Sequence, residues 1–126
     1  MSLSKLYFSL EGRISRSTYW LKFMLPYIVL YIIAVFLDMQ DIQAQMQANP
    51  EAFNPAMVVM KYSLIFSLVM LYPSIAVGVK RCHDRNRTGW FLLISLIPLV
   101  NLWVLVELWF LKGTTGANNY GEDPLA

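Results

Sequence analysis

Hydrophobic and polar positions fall in blocks along this chain rather than in a short period. Three long apolar segments, Tyr19 to Leu37, Met57 to Val79 and Trp90 to Leu111, alternate with short polar connections. A helix needs about 20 apolar residues to cross a hydrocarbon core, where no water satisfies exposed peptide groups. Each segment meets that length, and none has the polar outer face that a helical bundle in water requires. The pattern predicts an all-α membrane protein with three transmembrane helices in a single domain over residues 1–126. The residues before Tyr19 hold no apolar run of secretory-leader length, so the first segment is expected to stay attached.

Helix breakers in the second and third segments bear on the topology. Pro73 predicts a kink in the second. In the third, Pro98 and Asn101 lie near the middle, and the proline removes one helical hydrogen bond. A kinked but complete crossing is expected; the alternative is a re-entrant hairpin that turns at Pro98 to Asn101 and brings the tail back. The first loop, Asp38 to Pro55, is rich in glutamine and alanine and predicts a short surface helix between Asp41 and Asn49.

Composition agrees with lipid. Only 14% of residues are charged, against roughly 25% in soluble domains. The net charge of +2 is too small to suggest a nucleic-acid partner, so any anion attraction must come from local clusters. Lys5, Arg13, Arg16 and Lys22 occupy the amino-terminal region, and Lys80, Arg81, Arg85 and Arg87 the second loop. The first loop has Asp38, Asp41 and Glu51 and no basic residue. Positive residues stay on the cytoplasmic side. The amino terminus and second loop are therefore expected inside and the first loop outside, and three crossings place the tail from Lys112 outside.

Candidate chemistry is sparse. Ser63, Ser67, Ser74 and Gly78 share one face of the second segment, a candidate packing face because small residues let helices approach closely in lipid. Lys61 and Glu107 each lie four residues inside an apolar segment. With three crossings both sit about 6 Å below the outer boundary, which predicts an intramembrane ion pair. Arg13, Arg16, Arg81, His83, Asp84, Arg85 and Arg87 form a candidate cytoplasmic polar cap: Arg81, Arg85 and Arg87 are expected to attract anionic headgroups, Asp84 to cap the turn or pair with an arginine, and Arg13 and Arg16 to meet Asp84 or lipid phosphate. Ser15 is a candidate N-cap. The tail holds turn residues Gly116, Asn118, Gly121, Asp123 and Pro124, with Tyr120 as an anchor. One cysteine, Cys82, and one histidine, His83, cannot close a usual zinc site, and no nucleophile–base pair is marked. No catalytic residue, cofactor or metal is expected.

Three blocks carry a family resemblance: Phe8 with Gly12 to Trp20 (GRISRSTYW), Lys80 to Trp90 (KRCHDRNRTGW) and Gly113 to Pro124 (GTTGANNYGEDP). Through them the chain resembles the domain-of-unknown-function 805 family of small bacterial inner-membrane proteins over nearly its whole length. Lys80 and Cys82 stand where that pattern usually has arginine and leucine, and Asn101 replaces a frequent glycine. The resemblance implies a bacterial cytoplasmic-membrane, multi-pass location and assigns no activity. The expected function is a non-enzymatic membrane module that contacts lipid and packs with itself or a membrane-protein partner. The alternative is a subunit of an oligomeric small-solute or ion transporter or channel.

Overall fold

The structure, a computed structural model, describes all of residues 1–126 and is helical throughout. Six α-helices follow in order: α1 Leu3–Phe8, α2 Arg16–Tyr19, α3 Leu25–Ala48, α4 Lys61–Val69, α5 Leu71–Asp84 and α6 Val100–Phe110. A wider π-type turn, Trp20–Met24, joins α2 to α3, so one helix runs without a break from Arg16 to Ala48. Its 33 residues make it about 50 Å long at 1.5 Å per residue. It is long and apolar enough to cross a membrane, and α4 and α5 pass the same test only when taken together.

Local chemistry explains each departure from a plain helix. Ser2 caps α1 by accepting from the Lys5 amide at 3.1 Å, and Ser15 caps α2 by accepting from the Thr18 amide at 3.3 Å, as its position predicts. The π turn precedes Pro26, which has no N–H for the Lys22 carbonyl four residues earlier. The Tyr7 hydroxyl takes that place, donating to the Lys22 carbonyl at 2.5 Å. Likewise Pro73 has no N–H for the carbonyl of Val69, and the second apolar segment is interrupted at Met70. The surface helix expected at Asp41 to Asn49 is not separate: it is the last two turns of α3.

The chain forms two compact units, one of Met1–Leu25 with Tyr72–Ala126 and one of Pro26–Leu71. In Pro26–Leu71 the ring of Phe66 meets Tyr27 and Tyr31, with centroids at 5.1 and 6.3 Å. Asp38 is buried and caps α4, its two oxygens accepting from the amides of Tyr62 at 2.7 Å and Ser63 at 2.9 Å. Sequence reasoning placed Asp38 only in an acidic loop. Its capping role depends on a fold-back over 24 residues that no local signal marks.

In the other unit the third apolar segment is not one helix. A 3₁₀ helix, Gly89–Leu96, leads to a turn at Ile97 to Leu99, and α6 follows. Ile97 is extended, as a residue before proline should be, and Leu99 takes a left-handed φ of 68°. The two arms pack against each other: Cys82, Phe91, Val104 and Leu108 form a buried cluster joined by Leu92 and Trp109. Each arm is only about 16 Å long, half of a hydrocarbon core. No single helix of the third segment is long enough to cross, so the three-span expectation is not confirmed. Both ends of the segment meet α5, and the turn at Pro98 reverses the chain.

Candidate functional site

The hairpin closes on a cluster of charged side chains at the end of α5. An α-helix leaves its last carbonyls without intrahelical partners, and α6 has no glycine cap to satisfy them. Instead, five successive carbonyls accept from side chains. Arg81 Nε donates to Leu108 at 2.7 Å, Trp20 Nε1 to Trp109 at 2.8 Å and Arg16 Nη1 to Phe110 at 2.7 Å. Arg81 Nη2 reaches Leu111, and Arg85 Nη1 donates to Lys112 at 2.6 Å. Positive charge at the carbonyl end also opposes the helix dipole favourably.

Arg81 is fully buried, and each of its three guanidinium nitrogens donates within the chain. Its Nη1 pairs with Asp84 Oδ2 at 2.7 Å, one helical turn along α5. Asp84 is also bound by Arg13, whose Nε donates to Oδ1 at 3.1 Å. The rest of the Arg13 guanidinium holds the tail, donating to the carbonyls of Thr114 at 2.6 Å, Gly116 at 2.7 Å and Gly121 at 3.2 Å. The Asp84 carbonyl accepts the Thr114 amide at 2.7 Å. A Cβ at Gly113 would fall inside the Asp84 carboxylate, so only glycine fits there.

The tail turns close on this frame. Asn118 and Gly121 exchange backbone hydrogen bonds at 3.0 and 3.3 Å, with Gly116 and Gly121 at φ of 80° and 135°. Asp123 accepts from the amides of Gly116 at 2.8 Å and Leu125 at 2.9 Å, and these donors hold its carboxyl below the usual aspartate range. Pro124 lies within the last turn, closed by Ala126 N–H to the Asp123 carbonyl. Tyr120 stacks flat on His83, centroids 4.1 Å apart, while His83 Nδ1 donates to the Gly12 carbonyl at 3.0 Å. Asn118 Nδ2 donates to the His83 carbonyl at 2.8 Å.

The amino-terminal segment, second loop and tail thus share one hydrogen-bonded body. The expectation that the tail lies apart from the second loop is not met, since the Thr114 amide binds the Asp84 carbonyl. Lys80 adds a further tie: its buried ammonium donates to the carbonyls of Ser9 at 2.5 Å and Lys5 at 3.2 Å, fixing α1.

The Lys61–Glu107 pair does not form. Glu107 is fully buried, and its Oε1 accepts from Arg87 and, at 3.4 Å, from Arg85, while Oε2 has no partner. Lys61 lies 3.6 Å from Asp41 and over the Tyr62 ring. The matched depths presumed a third crossing; with the chain reversed at Pro98, Glu107 lies beside the second loop. The serine face is also divided. Ser63 donates to the Met60 carbonyl at 3.2 Å, Gly78 is covered by Leu92, Ser74 is partly buried, and Ser67 is exposed.

Chemically the cluster is a clamp. Its arginines and carboxylates bind one another or backbone carbonyls, and His83 faces a carbonyl and a ring. No group of three or more histidine, cysteine, aspartate or glutamate side chains converges as a metal would require. Sequence reasoning found the basic residues and the pairing of Asp84 with an arginine, and missed the backbone carbonyls, which carry no sequence signal.

Relatives match the chain over nearly its whole length. The chain is 27% identical to inner membrane protein YhaI of Escherichia coli strain K12, covering 98% of this chain and 92% of that one. It is 26% identical to inner membrane protein YhaH of the same strain, over 98% and 93%. Identity to the uncharacterized protein YiiR of that strain is 30%, over 98% and 90%. No solved structure matches the chain. Residues 7–122, which include every member of the clamp, match the family described as protein of unknown function DUF805, and the chain belongs to that family.

Proposed function

We propose that this chain is a non-enzymatic module of the bacterial inner membrane, built from two crossings and a hairpin that enters and leaves through the cytoplasmic face. The observation that carries this reading is the capped run of carbonyls from Leu108 to Lys112. A helix end in or near hydrocarbon is tolerable only if its carbonyls find donors within the protein, and the clamp supplies them. The helix from Arg16 to Ala48 is one crossing, and α4 with α5 the other.

Charge supports the orientation. Met1–Leu25 with Tyr72–Ala126 holds nine of the ten basic residues and five of the eight acidic ones, whereas Pro26–Leu71 holds one and three. The basic part takes the cytoplasmic side by the positive-inside rule. The apolar surface supports burial in lipid: Ile28 to Ile33, Leu93, Leu96, Leu99 and Leu102 are all exposed in the isolated chain. The names of YhaI and YhaH agree with that location.

The non-enzymatic part rests on how the polar groups are used. Every guanidinium nitrogen of Arg13 and Arg81 and both carboxylate oxygens of Asp84 bind within the chain, which supports a structural use of these groups. The module acts by packing with itself or a membrane-protein partner, with Ser67 as the open member of the small-residue face.

The deciding experiment fuses to the carboxyl terminus either a reporter active only in the cytoplasm or one active only outside. Cytoplasmic activity is the expected result; external activity would overturn the hairpin. Self-association is read from a Ser67→Cys variant, since Cys82 is buried. Oxidation in membrane vesicles should give a crosslinked dimer, and its absence would remove self-association.

A further inference from the structure

Among the arginines of the clamp, Arg87 differs. Arg13 and Arg81 use both terminal amino groups, and Arg16 and Arg85 use one each. Arg87 uses only Nε, which donates to Glu107 Oε1, while its guanidinium carbon lies 4.4 Å from the centroid of the Phe91 ring. A carboxylate on the Nε edge and a ring against the face fix the plane of the guanidinium. Both terminal amino groups are left without an acceptor, on a side chain that is 44% exposed.

These groups line an open groove of about 380 Å³ formed by Asn86, Arg87, Thr88, Trp90, Phe91 and Ile94. Its polar end has two further donors with no partner in the chain. Asn86 uses its Oδ1 on the Asn119 amide and leaves Nδ2 free, and the Thr88 hydroxyl makes no capping bond to the 3₁₀ helix that follows it. Its other end is apolar and leads along the first arm of the hairpin, past Trp90, which is 76% exposed. Arg85 and Arg87 face one carboxylate, Glu107, so the local balance is positive by one charge.

We propose that this groove is a binding site for one anionic phospholipid, with the phosphodiester on the terminal edge of Arg87 and the donors of Asn86 and Thr88, and an acyl chain along Phe91 and Ile94. Planar guanidinium forks match phosphate oxygens two at a time, and a fork already held in place loses less freedom on binding. Basic pockets beside apolar helices on the cytoplasmic face suit anionic headgroups. The polar-to-apolar gradient selects a lipid over a free anion. This inference rests on the reading of the hairpin as membrane-inserted.

The test uses the full chain in nanodiscs containing equal amounts of phosphatidylglycerol and phosphatidylcholine, followed by native mass spectrometry of the released protein. The wild type should retain phosphatidylglycerol over phosphatidylcholine by about five-fold, the factor one arginine contributes at a membrane surface. Arg87→Gln with Glu107→Gln removes the fork while leaving the local charge unchanged through Arg85, and should bring the ratio to about one. Thr88→Val leaves the ion pair intact and should lower the ratio by about two-fold, which keeps the test valid if the double variant does not fold. Lys112→Gln removes a charge away from the groove and should leave the ratio unchanged.

Equal retention of the two lipids by the wild type would overturn the proposal, as would an equal fall in Lys112→Gln, which would mean diffuse attraction. Excess inorganic phosphate should not displace the lipid; displacement would identify a free-anion site instead. A carboxyl-terminal reporter on the outside would refute the hairpin itself, whereas a lost lipid preference with a cytoplasmic reporter would refute the groove alone.

Discussion

The two compact units solve the same problem, an unsatisfied helix end, at different expense. In Pro26–Leu71 the long helix satisfies its own backbone, and the start of α4 needs one carboxylate, Asp38, to take two amides. In the other unit the last carbonyls of the hairpin take four side chains from two distant parts of the sequence. The difference teaches why charge is concentrated where it is. A chain that spans lipid in one piece needs few polar groups, and a chain that turns back needs many.

The sharpest way to break this contrast is Arg81→Met. It strands the carbonyls of Leu108 and Leu111 and leaves Asp84 with one partner. The expected loss is about 3–5 kcal/mol, as for removal of one member of a buried ion pair, read as a fall in thermal unfolding midpoint in detergent. Arg81→Lys should not rescue it, because one ammonium cannot span three acceptors in a plane. An unchanged midpoint would mean that the clamp does not hold the hairpin.

Next in size is Gly113→Ala. The added methyl overlaps the Asp84 carboxylate, so the tail or the ion pair must move. A loss of about 2–3 kcal/mol is expected, within the range of a steric clash at a buried site. Faster proteolysis of the tail would place the strain there rather than in α5.

Asp38→Ala tests the other side of the comparison. It removes a single cap and should cost about 1–2 kcal/mol. Hydrogen exchange should increase at the amides of Tyr62 and Ser63 while the amide of Thr114 in the clamp stays protected. Loss of protection in both places would show that the units are not independent.

The smallest effect concerns Asp123. Its carboxyl is held below the ordinary aspartate range by two backbone donors. A lowered pKa means that the folded turn binds protons less readily than the unfolded one. Its contribution is therefore complete above the ordinary aspartate pKa and lost as pH falls through the lowered value. Hydrogen exchange of the Gly116 amide should quicken in that acidic window, and Asp123→Asn should remove most of the pH dependence.

Much of the architecture was legible from residues alone, for reasons that can be named. Long apolar blocks dictate helices that lipid would cover, Ser15 marks a helix start, and Pro73 marks an interruption, which falls one turn earlier at Met70. The basic blocks were also visible as a cluster. Their pairing with Asp84 was visible too; their bonds to backbone carbonyls were not, since arginines next to an apolar segment read equally well as ligands for lipid phosphate. Only Arg87 keeps both terminal amino groups free for that role.

By itself the sequence determined helix content, the long apolar segments and the gathering of positive charge, because these depend on hydropathy and local backbone chemistry. Tertiary structure decided the third segment. Pro98 permits either a kink or a reversal, and the choice turns on whether donors await the far end of α6. Arg16, Trp20, Arg81 and Arg85 supply them from positions far away in the chain. The acceptors are peptide carbonyls, identical at every residue, so no pattern of side chains could have announced the contact.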